Sequence, residues 1–455
     1  MTVTVEAVPP AVPPVARPDA VPAEDGATVP AAPRILVLGG KAGIVRKAAA
    51  LGLDVVQIQK PSAFDPSVVG HCAQVHLLDY QDIPLVTALA RALHTQRPFV
   101  RVFTQTEAAQ VVAGHLTTEL GLPGSGVRTA RLLHDKRALR ALLNEHRLGA
   151  VAAEPGTTRE ALRAFVAAHG AAVVKPAMGS GSLGVRKVHG TDEVDEVWQW
   201  LQDFGVGEFL TEELLVGTEL SVEAFSVDGR HTVVAVTGKD TGAGVVELGH
   251  VVPAPLPGEQ RRDVGDFVRA VLDLAGHVDG PSHTEIILTE SGPRVVESHG
   301  RRGGDRINEL VGLVHQVDFE QLAYRLAVEA DPLPAPPPAD GAAAIRFLVA
   351  EPGVVTEVRG IEAAAAADGV VQVDVQVAPG DTVHELRWSE DRCGYVMVRA
   401  ADARTAVRRA REVAESIEIR TVPAELGPQT LTDLLTGVDE VLDPFGDPTP
   451  SPFAL

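Results

Sequence analysis

The stretch HTEIILTESGPRVVESH, residues 283–299, constrains the chain more than any other. Two runs rich in β-branched residues flank Glu290-Ser291-Gly292, and small polar residues between such runs mark a tight turn. The segment therefore reads as an antiparallel hairpin, and pairing GPRVVE against HTEIILT brings Glu285 towards Glu297. Carboxylates on neighbouring strands repel, so their convergence makes sense around a cation or a substrate proton. Hard oxygen donors of this kind favour Mg²⁺.

Upstream lies VVKPAMGSGSLGVRKV, residues 173–188. Lys175 ends the strand AAVVK, where Pro176 blocks simple continuation, so its ammonium can meet phosphate oxygens from a fixed base. Gly179, Ser180, Gly181, Ser182 and Gly184 follow, a run able to turn several N–H groups toward one anion and to cover it. Taken alone the run is also compatible with an ordinary flexible hairpin. It is not a GxxxxGK[ST] phosphate loop. Lys136, near the start of a helix in HDKRALRALL, can add a second positive charge, whereas Asp135 suits the helix start. Carboxylates for Mg²⁺ and lysines with free amides for phosphates together describe an ATP-consuming enzyme.

In EFLTEELL, Glu212, Glu213, Leu214 and Leu215 lead through a turn at Gly217 to Glu219. A strand edge here can recognise adenine and a carboxylate can accept from ribose hydroxyls, although alternating acids also make a solvated strand face. Period-two alternation puts Glu219, Ser221 and Glu223 on one side. Past the hairpin, His299 and Arg301 share the face of Glu297 if the strand persists, and Arg302, Gly303, Gly304 and Arg306 form a basic turn suited to a carboxylate or phosphate. His250, at a glycine-rich bend, is a candidate to touch substrate or phosphate. There is no HExxH or clustered His/Cys signature for zinc and no GxSxG nucleophile elbow.

The whole chain has 455 residues, enough for two or three domains. Its net charge of -21 argues against a nucleic acid or an anionic membrane as partner. Cys72 and Cys393 stand far apart, as expected in a reducing compartment. With neither a signal-peptide pattern nor a long apolar span, the expectation is a cytoplasmic protein. The sequence leaves a homodimer open.

Composition divides the chain into a Pro/Ala-rich tail over 1–32, expected to be disordered or extended, and an N-terminal α/β domain over 33–125. A central α+β domain over 126–335, a small β-rich region over 336–421 and a loosely ordered tail over 422–455 follow. The cluster Gly39, Gly40 and Gly43 fails the GxGxxG spacing and reads as a tight turn at a substrate edge.

Asp135-Lys136, VVKPAMGSGSLGV, TEELLVGTELSVE, ELGHVVPAPL, HTEIILTESGPRVVE and an RxGGD-like element occur in an order that resembles the ATP-grasp superfamily over roughly residues 34–420. The likeness is closest to its carboxylate-amine ligases of the L-amino-acid ligase and carnosine-synthase-like group. It implies an ATP-grasp fold of mixed α/β and α+β class, with an N-terminal pre-ATP-grasp domain. By the resemblance, Lys136 and Lys175 meet ATP phosphates, residues 179–184 form the lid, and Glu212 to Leu215 border adenine. Glu219 contacts ribose, Glu285 and Glu297 hold Mg²⁺, and Arg301 steadies the transferred phosphate. The family pattern E-x-N-x-R is here Glu297-Ser298-His299-Gly300-Arg301, which makes His299 a candidate metal ligand in place of asparagine. The implied reaction forms an acyl phosphate and ADP from a carboxylate, then an amide with an amine, both substrates being small molecules and expected to be amino acids. The alternatives are an ATP-grasp enzyme of carboxylase or purine-pathway type, or a degenerate ATP-binding regulatory module.

Overall fold

The computed structural model describes residues 2–4, 31–176, 181–242 and 244–424. Gly179 and Ser180, most of the N-terminal tail and residues 425–455 lie outside the described residues.

Four short aliphatic strands build the first layer. In sheet order they are Gln74–Leu77, Asp54–Gln59, Arg34–Leu38 and Arg101–Phe103, all parallel. Parallel sheets need both faces covered. Leu36, Leu38, Val56 and Ile58 pack with Val86, Ala90 and Leu116 on one side, while Ile35, Val37 and Val55 pack with Val45 and Ala48 on the other. The glycine turn follows the carboxyl end of Arg34–Leu38. Gly39 has φ +64, and a Cβ there would come within 2.6 Å of Thr106 Oγ1, the hydroxyl that accepts from the Gly40 N–H at 3.1 Å. Glycine thus lets the turn close onto the loop after the neighbouring strand, at the end of the sheet where ligands bind in α/β folds.

A second, antiparallel sheet runs in the order Ala153–Gly156, Phe209–Glu213, Ala172–Pro176 and Arg186–Val188. Thr158 caps the helix Arg159–His169 by accepting from the Ala161 N–H. That helix and Val194–Asp203 bury Leu162, Phe165 and Leu201 against Val174 and Phe209.

The largest sheet has nine antiparallel strands: Thr2–Thr4, Val370–Val375, Gly394–Ala400, Ala342–Leu348, Gly249–Val252, Arg230–Asp240, Thr218–Val227, Gly280–Thr289 and Gly292–His299. Asp228 and Gly229, with φ 48 and 76, make the tight hairpin turn expected of Asp-Gly. The β-rich C-terminal region shares this sheet through the pairing of Ala342–Leu348 with Gly249–Val252, and its smaller sheet joins Thr382–Val383, Gly353–Arg359 and Glu418–Val422. One expectation is corrected: Thr2–Thr4, expected within an unstructured tail, adds an edge strand to Val370–Val375, for which alternating threonine and valine are well suited.

The helix Gly258–Ala275 ends at left-handed Gly276 and delivers His277 into the interior, with Nδ1 3.2 Å from Ser125 Oγ and Nε2 3.4 Å from the Gly280 carbonyl. Burial pushes this imidazole down from 6.5 to about 4. The folded state therefore binds this proton less readily than the unfolded state. Its stability contribution is present above pH 6.5 and is lost as pH falls toward about 4, with a slope of at most about 1.4 kcal/mol per pH unit. Urea unfolding at pH 7 and pH 5 should show a smaller acid loss in His277→Gln than in wild type.

Candidate functional site

The edge hairpin sets the site. Its register places Glu285 opposite Glu297 and, two residues back, His283 opposite His299. The two carboxylates are largely buried, their remaining surface facing a cavity, and each is met by a lysine. Lys239 Nζ lies 2.6 Å from Glu285, 2.9 Å from Glu247 and 3.5 Å from Glu219. Lys136 Nζ lies 2.7 Å from Glu297. Burial disfavours a charge on Lys239, yet Glu247, Glu285 and Glu219 outweigh it and hold the pKa well above the ordinary lysine value. Burial likewise raises Glu285, but Lys239 and His283 bring it down to about 2. Glu297 is held well below the usual carboxylate range against its own burial by Lys136 and His299.

Lys175, the last lysine before the glycine run, is also buried. Its Nζ sits 2.6 Å from Glu212 and donates to the Val296 carbonyl at 3.2 Å, next to Glu297 in the chain. Glu212 is held from its other side by Arg140 at 2.6 Å, and Arg140 also donates to the Val295 carbonyl. The Glu213 carboxylate accepts from the Ala152 N–H at 3.0 Å. Glu212 thus orients Lys175, and Glu212, Glu213, Leu214 and Leu215 all stand in the wall of the adjoining cavity. Glu219, expected at ribose, is drawn into the cluster on Lys239, where oxygens of Glu219, Glu247 and Glu285 lie within 4.8 Å of one another.

This cavity, about 620 Å³, is bounded by Lys136, Lys175, Lys187, Lys239 and the carboxylates, with Gly181 and Ser182 at its rim. Positive φ at Gly181, Ser182 and Gly184 curls the described part of the loop inward, and Ser182 Oγ donates to the Val245 carbonyl at 2.9 Å.

A second cavity of about 560 Å³ meets the first at Gly181, Lys239, Glu247, Glu285 and Glu297. Arg301, Arg302, Arg306, Asp305 and His250 line it. Arg392 clasps Asp305 with bonds of 2.8 and 2.6 Å, and His250 Nε2 lies 3.2 Å from the same carboxylate. His250 Nδ1 is buried without a hydrogen-bond partner among the described residues.

His299, expected as a metal ligand, has both ring nitrogens against carboxylates: Nε2 is 2.9 Å from Glu297 and Nδ1 is 3.3 Å from Glu107. These contacts tie His299 both to Glu297 and to Glu107 of the N-terminal domain. Arg301 also donates through Nε to Glu107.

Lys239, Glu247, Glu107, Asp305 and Arg392 were missed by the sequence reading. Lys239 carried a local signal, because TGKD places it two positions from Thr237 on a strand ending in a glycine-rich bend. Glu107 carried none, since its partners His134, His299 and Arg301 are remote in sequence.

Comparison with known proteins now bears on this geometry. Residues 169–309 match the ATP-grasp domain, residues 45–124 the ATP-grasp N-terminal domain and residues 346–422 the L-amino acid ligase C-terminal domain 2. The uncharacterized protein y4rH of Sinorhizobium fredii is 30% identical over 328 residues, 70% of this chain and 67% of that protein. The chain belongs to the ATP-grasp superfamily, in its carboxylate-amine ligase group. An L-arginine-specific L-amino acid ligase of Bacillus subtilis is 23% identical over 68% of this chain and 78% of its own length. The crystal structure of an L-amino acid ligase from Bacillus licheniformis shares the fold, with a TM-score of 0.72 at 21% identity over 86% of this chain and 99% of that one. This ATP-grasp chain is an ADP-forming ligase acting on a carboxylate and an amine, with ATP and Mg²⁺ as cofactors. The paired carboxylates, hard oxygen donors already balanced by cations, fit that ion.

Removing Lys239 leaves buried carboxylates without their cation, a change that typically costs about 3 kcal/mol. Lys239→Met should therefore lose about that much stability to urea in EDTA. Saturating Mg²⁺ should narrow the gap to wild type.

Proposed function

We propose that this ligase activates the carboxylate of an amino acid or closely related acid and joins it to the amine of a second amino acid. The observation that carries this reading is the meeting of two cavities on one carboxylate pair, lysine-walled on one side and arginine-walled on the other. The similarity to L-amino acid ligases in the C-terminal region and over the chain supports the substrate class.

In this reading Lys136, Lys175 and the amides of residues 179–184 bind the phosphates of ATP, with Leu214 and Leu215 beside the adenine. Glu285 and Glu297 hold Mg²⁺, which when bound screens the phosphate charge during transfer. A substrate carboxylate oxygen attacks the γ-phosphorus, the bond to the ADP oxygen breaks, and an acyl phosphate forms. Arg301 steadies the transferred group, its guanidinium braced by Glu107. The amine then attacks the carbonyl carbon, the carbon–oxygen bond to phosphate breaks, and the departing phosphate takes up the amine proton, while His250, held by Asp305, stays in the cavity wall. The loop carrying Gly181 and Ser182 excludes water from the acyl phosphate.

Pairs of amino acids assayed for nucleotide products should release ADP and phosphate only when both a carboxylate and an amine are productive, and mass measurement should show the amide. Stoichiometric AMP and pyrophosphate would reject the mechanism. Glu285→Ala and Glu297→Ala, folded by circular dichroism, should each lose about 10²–10³ in kcat.

A further inference from the structure

The two glutamates assigned to Mg²⁺ have matching supports that the mechanism above does not use. Two residue pairs further along the ladder, His283 faces His299, their rings near parallel at 16° with centroids 6.3 Å apart. His283 Nε2 lies 3.1 Å from Glu285 and His299 Nε2 lies 2.9 Å from Glu297. Behind each ring stands another carboxylate. His283 Nδ1 is 2.9 Å from Glu223, and His299 Nδ1 is 3.3 Å from Glu107.

Glu223 is fixed in turn. It accepts from Ser221 Oγ at 2.6 Å and Thr237 Oγ1 at 3.3 Å, and only 1% of it is exposed. The backbone at Gly303 passes directly over the pair, where a Cβ would lie 3.0 Å from His283 Nδ1 and 3.1 Å from Glu223 Oε2. Glycine in the RRGGD turn thus lets the chain seal the pair away from water.

We propose that His283 and His299 are positioning residues that set the affinity for the divalent cation, each gripping one metal carboxylate from behind while Glu223 or Glu107 anchors its far nitrogen. The proposal rests on the reading that Glu285 and Glu297 hold the metal. A carboxylate on a strand can swing about its side-chain torsions, and a bond to one oxygen fixes the direction of the other. Glu223 and His283 touch neither phosphate nor substrate in this assignment. They act only through Glu285.

The probe is Mn²⁺ with saturating ADP, its binding read from the free-ion electron paramagnetic resonance signal. Glu223→Gln and His283→Gln should each weaken Mn²⁺ binding by about 10–100-fold, with ADP affinity in EDTA and the thermal midpoint little changed. His299→Asn, which keeps one amide to donate to Glu297, should weaken it less than His299→Ala. Mn²⁺ affinity within twofold of wild type in folded Glu223→Gln and His283→Gln, with Glu285→Gln strongly weakened, overturns the positioning role alone. Unchanged affinity in Glu285→Gln and Glu297→Gln overturns the metal assignment beneath it. Should His283→Gln not fold, Glu223→Gln decides the outcome, because it keeps volume and a hydrogen-bonding oxygen.

Discussion

Two largely buried carboxylates facing each other across a hairpin are the constraint on which the rest of this fold turns. A strand ladder fixes Glu285 opposite Glu297, and each keeps only a small part of its surface open to the cavities. Burial of like charge is among the most unfavourable arrangements a protein can hold, and positive charge must come from elsewhere. It comes from the start of a helix through Lys136, from the next-but-one strand of the sheet through Lys239, and from the hairpin itself through His283 and His299. The long strand Arg230–Asp240 and the helix Lys136–Glu145 are thereby tied to one point, which is also where phosphate charge has to be received.

Much of this was legible from local pattern. The Glu-Ser-Gly turn determines the hairpin, but the carboxylate pair depends on a bulge: the register from Thr289–Gly292 to Ile286–Val295 would set Glu285 opposite Val296, and the shift between Ile286 and Glu285 brings Glu297 there instead. Asp228-Gly229 likewise marks its own turn, and Thr158 its own helix start. The first domain's aliphatic strands could be read as parallel because helices alternate with them.

What was not legible depends on contacts between elements. Glu212 lines the cavity as its strand position suggests, but its partners Arg140 and Lys175 approach from other segments. Glu219 lies on the polar face that alternation assigns, but which ligand that face meets is decided by Lys239 on the adjacent strand. His299 stands where asparagine is usual in the family, yet its role is set by Glu107, far away in sequence and on the N-terminal domain. The imidazole thereby links the N-terminal domain to the edge hairpin.

That link bears on how the two half-reactions are kept together. Glu107 accepts from His134 at 3.0 Å, immediately before Asp135-Lys136, and from His299 and Arg301. One carboxylate of the N-terminal domain thus touches the segment leading to Lys136, the imidazole beside Glu297, and Arg301 of the second cavity. On the opposite side, the Ser389 N–H of the C-terminal region donates to the Gly181 carbonyl at 3.1 Å, and Gly181 borders both cavities. An activated acyl group is useful only if the amine meets it before water does, which requires that the walls around both chambers form together. Contacts that span the N-terminal, central and C-terminal regions at the junction of the two cavities provide that coupling, because displacing any one region loosens the groups that both steps share.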